Sequence, residues 1–174
     1  MTVSIGWRSF CFTPSFLGAF GKGESMKVAV SSCLLGVACR YDGKSKPSEQ
    51  VMRYLESIDA EVVRICPEVL GGMSVPHPPC EIVEEQGCRR VLDSEGADHT
   101  EAFEAGALRA LKRAEGCSRA ILKAKSPSCG VGQVYDGTFS GAIVAGDGMA
   151  AALFREAGID LATERDFADG SAPW

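Results

Sequence analysis

None of the eight cysteines in this 174-residue chain forms a C-x2-C pair, and its two histidines, His77 and His99, do not stand at metal-pair spacing. Structural zinc sites draw their ligands mostly as such close pairs, so a zinc knuckle is a poor description of this sequence. No segment approaches the roughly 18 consecutive apolar residues that a membrane-spanning helix needs. An excess of positive charge is also missing: 18 Lys and Arg stand against 23 Asp and Glu, for a net charge of -5 and a pI near 5.1. Phosphate binding over a broad surface needs clustered Lys and Arg, so the expected partner is a small molecule rather than a nucleic acid or a membrane. There is no internal repeat, no low-complexity tract and no linker that would split the chain.

What is present is enough apolar sequence for one core, 45% of the residues, in a chain short for two domains. Residues 26–165 are expected to form a single α/β domain, with residues 166–174 as a C-terminal tail. Met1 to Ser25 holds Trp7, Phe10, Phe12, Phe16, Leu17 and Phe20 without sustained periodicity, and it lacks the compact apolar core and cleavage site of a secretory signal. It reads as an extension, poorly ordered or preceding a true start at Met26.

From Met26 onward strands alternate with helices. Lys27 to Ser32, Ala60 to Ile65 and Ala120 to Lys123 are apolar runs of strand length, and Ile159 to Ala162 adds a fourth. Ser48 to Ile58 places Val51, Leu55 and Ile58 at helical spacing behind the N-cap Ser48. Thr100 to Ala114 is the clearest helix, and Met149 to Ala157 is a last one, capped by Asp147 and ended by Gly158. Glu81 to Glu84 and Arg89 to Leu92 form a two-stranded excursion, while Glu68 to Pro79 and Tyr135 to Gly141 are loops. The expected fold is α/β, a Rossmann-like open parallel sheet with flanking helices.

Three cysteines, Cys33, Cys66 and Cys129, each sit just past one of these strands, in S-S-C-L-L-G, C-P-E and S-P-S-C-G. Open parallel sheets bind ligands at the carboxyl ends of their strands, so the three thiols are expected at one edge of one sheet. Thiolates select soft metals, and three separated cysteines suit a cube-shaped iron-sulfur cluster with one iron left open. Glu68 and Ser126 ride on the same loops as two of these cysteines, where a carboxylate can shuttle a proton and a hydroxyl can relay one. Asp42 is a further polar candidate, although it and Asp136 each precede glycine and are turn formers first. Glu68 could instead cap a turn, and Ser126 before Pro127 could serve only its own turn. Eight cysteines in an α/β domain that needs no staples point to a reducing, cytoplasmic setting, with Cys11, Cys80, Cys88 and Cys117 as surface or packing residues.

The ordered motifs S-S-C-L-L-G-V-A-C-R-Y-D-G, C-P-E-V-L-G-G, L-K-A-K-S-P-S-C-G and Y-D-G-T-F-S-G resemble those of the thiouracil desulfidase family from about Met26 to Ala162. The resemblance implies a [4Fe-4S] cluster held by Cys33, Cys66 and Cys129, whose open iron takes sulfur from a thiolated pyrimidine such as 2-thiouracil. It assigns the acid/base role to Glu68 and an assisting role to Ser126, in a desulfuration without net redox change. Cys39 matches a family cysteine that is not counted as a ligand. One departure stands out: the family pattern runs to a Pro-Arg pair where this chain has Pro76-His77, replacing a permanent charge that would anchor substrate by an imidazole that can be neutral. The rival from another class is a non-catalytic cluster-binding protein, a sulfur carrier or redox sensor.

Overall fold

The computed structural model describes residues 25–85, 87–169 and 171–174, so the expected N-terminal extension lies outside the described residues except for Ser25. Along the chain run β1 (Lys27–Ser31), a 3-10 turn (Ser32–Leu35), α1 (Glu49–Ser57), β2 (Glu61–Ile65), the short helix α2 (Pro67–Leu70), β3 (Cys80–Glu85) and β4 (Cys88–Asp93). They are followed by α3 (Thr100–Arg113), β5 (Arg119–Leu122), β6 (Gln133–Tyr135), β7 (Ile143–Ala145), α4 (Met149–Glu156), β8 (Asp160–Thr163) and a second 3-10 turn (Glu164–Phe167).

The expected open parallel sheet is present, in the order β2-β1-β5-β8, with every neighbouring pair parallel. A parallel sheet is covered on both faces, and its central strands are correspondingly apolar without alternation: Val28, Ala29 and Val30 are all fully buried. Ala29, Ile65, Ala120 and Leu122 pack on one side with Ala110 of α3 and Ala151 and Phe154 of α4. Val28, Val30, Ile121 and Ala162 pack on the other with Val51 and Leu55 of α1 and with Phe167. Two antiparallel hairpins, β3-β4 and β6-β7, complete the fold, and Ile82, Val91 and Val134 from them bury Phe103 of α3.

Several local expectations need correction. The stretch from Glu68 to Pro79 is not all loop: Pro67, with φ already set for a helix and no N–H to lose, starts α2. Ser48 does cap α1, its hydroxyl accepting the Val51 N–H at 3.4 Å. The residue at the N-cap of α4, however, is Gly148 rather than Asp147. The Asp147 carboxylate is occupied by Arg155, at 2.7 and 3.1 Å, and by the Gly132 N–H at 2.7 Å. The C-terminal segment is no loose tail either: Phe167 is buried with its ring centroid 5.1 Å from that of Tyr54, and the Trp174 indole donates to the Tyr54 hydroxyl at 2.7 Å. Aromatic residues at the end of a short polar stretch carry no periodicity, which is why packing there was not legible locally.

Candidate active site

Adjacent parallel strands deliver the three cysteines to one edge. The 3-10 turn after β1 carries Cys33, Cys66 lies between β2 and α2 as the N-cap of that helix, and the loop after β5 runs to Cys129. Side chains fasten these ends together: the Ser32 hydroxyl donates to the Ile65 carbonyl at 2.9 Å, and the Ser31 hydroxyl accepts the Lys123 N–H at 3.0 Å. The result is one cavity of about 590 Å³ lined by Cys33, Cys39, Cys66 and Cys129 together with Glu68, His77 and Ser126.

The loop bearing Cys66 and Glu68 is fixed from behind. Helix α3 approaches α2 at Gly106 and Gly71, where any Cβ would collide with backbone of the facing helix. Arg109 of α3 also donates to the Leu70 carbonyl at 2.6 Å, satisfying a free carbonyl at the end of α2.

Cys39 occupies a place its sequence position did not reveal. The Cys66 thiol donates to the Cys39 carbonyl at 3.6 Å, and the neighbouring Cys39 thiol holds the pKa of Cys33 and of Cys66 below that of an ordinary thiol while its own is raised. Cys129 is opposite in character, pushed well above the usual range by burial, with the Ser31 hydroxyl acting in the other direction. Cys80 also reaches the cavity, and burial pushes it up to about 12. All seven cysteines among the described residues are free thiols.

Glu68 is the centre of the polar side of the cavity. Its Oε1 accepts from the Ser128 hydroxyl at 2.9 Å and, at the long limit of 3.5 Å, from the Ser126 hydroxyl. Its Oε2 lies 3.3 Å from Nε2 of His77. Ser126 serves its turn as well, because its Oγ accepts the N–H groups of Ser128 at 3.1 Å and Cys129 at 3.2 Å. Asp42 and Asp136 stay outside: Asp42 accepts from the Lys44 N–H, and Asp136 from Thr138, as turn residues do.

The ring of His77 is oriented by chemistry that leaves little freedom. Nδ1 faces the carbonyl of Pro78 at 2.7 Å, and a carbonyl only accepts, so Nδ1 carries a hydrogen. The contact between Nε2 and Glu68 then holds one proton, either on an imidazolium facing a carboxylate or on a carboxylic acid facing a neutral ring. The Glu68 partner raises the His77 pKa above its ordinary value, against the opposing effect of burial. The sequence singled out His77 only as a departure from the family's Pro-Arg pair, not as a partner of Glu68, and it did not single out Ser128. Ser128 had a usable signal, since it lies next to Cys129 in S-P-S-C-G.

An open parallel sheet whose carboxyl edge gathers thiols and a hydrogen-bonded carboxylate in one pocket is an α/β protein with an enzyme-like site. The model of the 2-thiouracil desulfurase family matches residues 28–166, and the chain belongs to this family of enzymes. It is 39% identical over 150 residues to the uncharacterized protein YbbK of Bacillus subtilis (strain 168), which covers 82% of this chain and 98% of that protein. Its structure resembles that of the [4Fe-4S]-dependent thiouracil desulfidase TudS with a TM-score of 0.73 and 38% identity, over 83% of this chain and 94% of that one.

Proposed function

We propose that this chain desulfurates thiolated pyrimidines of the 2-thiouracil type, using a [4Fe-4S] cluster held by Cys33, Cys66 and Cys129, and that residues 26–165 are the unit that does so. The observation that carries the reading is the placement of Glu68, hydrogen-bonded on both oxygens, in the same cavity as the three cysteines. The donor set fits such a group. Thiols from three separate loops line a shared cavity, whereas no three His, Cys, Asp or Glu side chains among the described residues are gathered tightly enough for a single metal ion. When bound, the cluster would supply an iron without a protein ligand, a Lewis acid for the thiocarbonyl sulfur.

The overall change is hydrolytic: a thiocarbonyl and water become a carbonyl, hydrosulfide and a proton, with no electrons gained or lost. Glu68 takes a proton from the water that attacks the ring carbon. Ser128 holds Oε1 of that carboxylate in place, and Ser126 assists from the same side while fixing the turn that carries Cys129. His77, at Oε2, keeps a proton within reach of Glu68 for the departing sulfur. The role given to His77 accounts for an imidazole where the family pattern has arginine, since it contacts the proposed acid/base residue.

Protein reconstituted anaerobically with iron and sulfide is expected to be brown and to convert 2-thiouracil to uracil with stoichiometric sulfide. Glu68→Gln should keep the colour and lose turnover by at least about 100-fold. A colourless, zinc-loaded protein would remove the cluster assignment, and a brown wild type inert toward thiolated pyrimidines would favour the sulfur carrier or redox sensor.

A further inference from the structure

The loop Y-D-G-T-F-S-G between β6 and β7 has no part in the proton chemistry above, yet it reaches the cavity through Tyr135, Phe139 and Gly141. Besides the His77 imidazole, three aromatic rings line the pocket: Tyr41, Tyr135 and Phe139. Two are already engaged. The Arg40 guanidinium stands 5.6 Å from the centroid of Tyr41, and the Lys125 ammonium 5.8 Å from that of Tyr135. Phe139 has neither an aromatic nor a cationic partner among the described residues and is 39% exposed.

The backbone at Phe139 is unusual in a way that needs support. Its φ is +57°, in the left-handed region that a bulky L-residue rarely adopts. Such strain persists only where the surroundings impose it, and it concentrates at ligand-binding positions. Here the imposing group is Glu81 of β3, a buried carboxylate with no ion-pair partner among the described residues. Its Oε2 accepts the N–H of Gly137 at 3.0 Å and that of Phe139 at 3.0 Å. The loop is pressed close to the same strand at Gly137, where a Cβ would lie 2.7 Å from the Ile82 carbonyl. A rigid strand and a buried charge thus hold one apolar ring at the cavity wall. Cys80, next to Glu81, also lines that wall.

We propose that Phe139 is the stacking platform for the planar ring of the substrate, and that Glu81 is the positioning residue that holds it there. This rests on the assignment of the cavity to a thiolated pyrimidine. A flat heterocycle presents a π-face whatever its substituents, and a phenyl ring fixed by its own backbone offers that face a partner at little cost in conformational entropy. Stacking on Phe139 would favour heteroaromatic thiocarbonyls over acyclic aliphatic thioamides, which have no ring π-face to stack.

The test uses the cluster-loaded protein under anaerobic conditions, measuring sulfide release from 2-thiouracil and, separately, binding of uracil by calorimetry. Phe139→Ala should raise KM for 2-thiouracil and weaken uracil binding, each about 10-fold, with kcat little changed. Phe139→Tyr should restore both. Glu81→Ala should raise KM with kcat retained, and Glu81→Gln, which keeps an acceptor oxygen, should recover most of the loss. Unchanged KM and unchanged uracil binding in Phe139→Ala would overturn the inference while leaving the reaction assigned. A wild type that binds uracil through Phe139 but releases no sulfide would overturn the reaction and uphold the stacking role.

Discussion

The α-carbon of Gly106 in α3 lies so close to Pro67 in α2 that a Cβ added there would sit 2.1 Å from the Pro67 carbonyl oxygen. The reciprocal contact is equally tight, since a Cβ on Gly71 would sit 2.1 Å from the carbonyl oxygen of Ala102. Backbone meets backbone, so no flexible side chain can yield. Because Pro67 separates Cys66 from Glu68, Gly106→Ala is expected to push both out of place. Urea unfolding should show a loss of about 3 kcal/mol, and iron content after reconstitution should fall below that of wild type.

Ser128→Ala removes the shorter of the two hydroxyl contacts to Oε1 of Glu68, at 2.9 Å. A hydrogen bond to a charged group contributes about 1.5–3 kcal/mol. If that contribution bears on the reacting geometry, kcat should fall by roughly 10- to 100-fold. The brown absorbance should be unchanged, because the substitution leaves all three cysteines and the Ser126 turn intact.

For His77 the direction of the shift fixes a pH dependence. Its folded pKa lies above the ordinary histidine value because Glu68 favours the protonated ring. The protonated ring binds better in the folded state, so this stabilisation is fully present below the ordinary value, near 6.5, while Glu68 is ionised. It is lost as pH rises through the folded value. Wild type should therefore exceed His77→Gln in stability at pH 6 by more than at pH 9, as read from urea midpoints at the two pH values. An equal difference at both would show that the ring acts by packing alone.

Phe167 is fully buried against Tyr54 and the α1 face of the sheet. Phe167→Ala should cost about 3–5 kcal/mol in chemical denaturation. Because Phe167 shares its buried cluster with Cys33 and Cys39, and Cys66 packs against that cluster, the variant should also hold less iron after reconstitution than wild type, as read from iron content.

The sheet was legible in the sequence because its strands are short apolar runs, such as Val28 to Val30, and because three of the four end at a distinctive cysteine motif. The cysteines at those ends followed directly. What stayed hidden was set by contacts with no local signature. His77 meets Glu68 nine residues away, within a stretch of prolines and glycines that has no period. Glu81 reads as one more charge on a strand, yet it binds the backbone of Gly137 and Phe139, 56 and 58 residues further on. Asp147 looked like a cap because it precedes α4, and only the folded chain brings Arg155 and Gly132 to compete for its oxygens.

The order β2-β1-β5-β8 has a consequence for how the protein matures. Cys33, Cys66 and Cys129 are scattered along the chain, and they become neighbours only when β1 has paired with β2 on one side and β5 on the other. The pairing with β5 joins segments some 90 residues apart, a slow and non-local event. No segment that emerges early in synthesis contains all three thiols, so on the proposed ligand set the cluster is loaded only onto a chain that has already closed its central sheet.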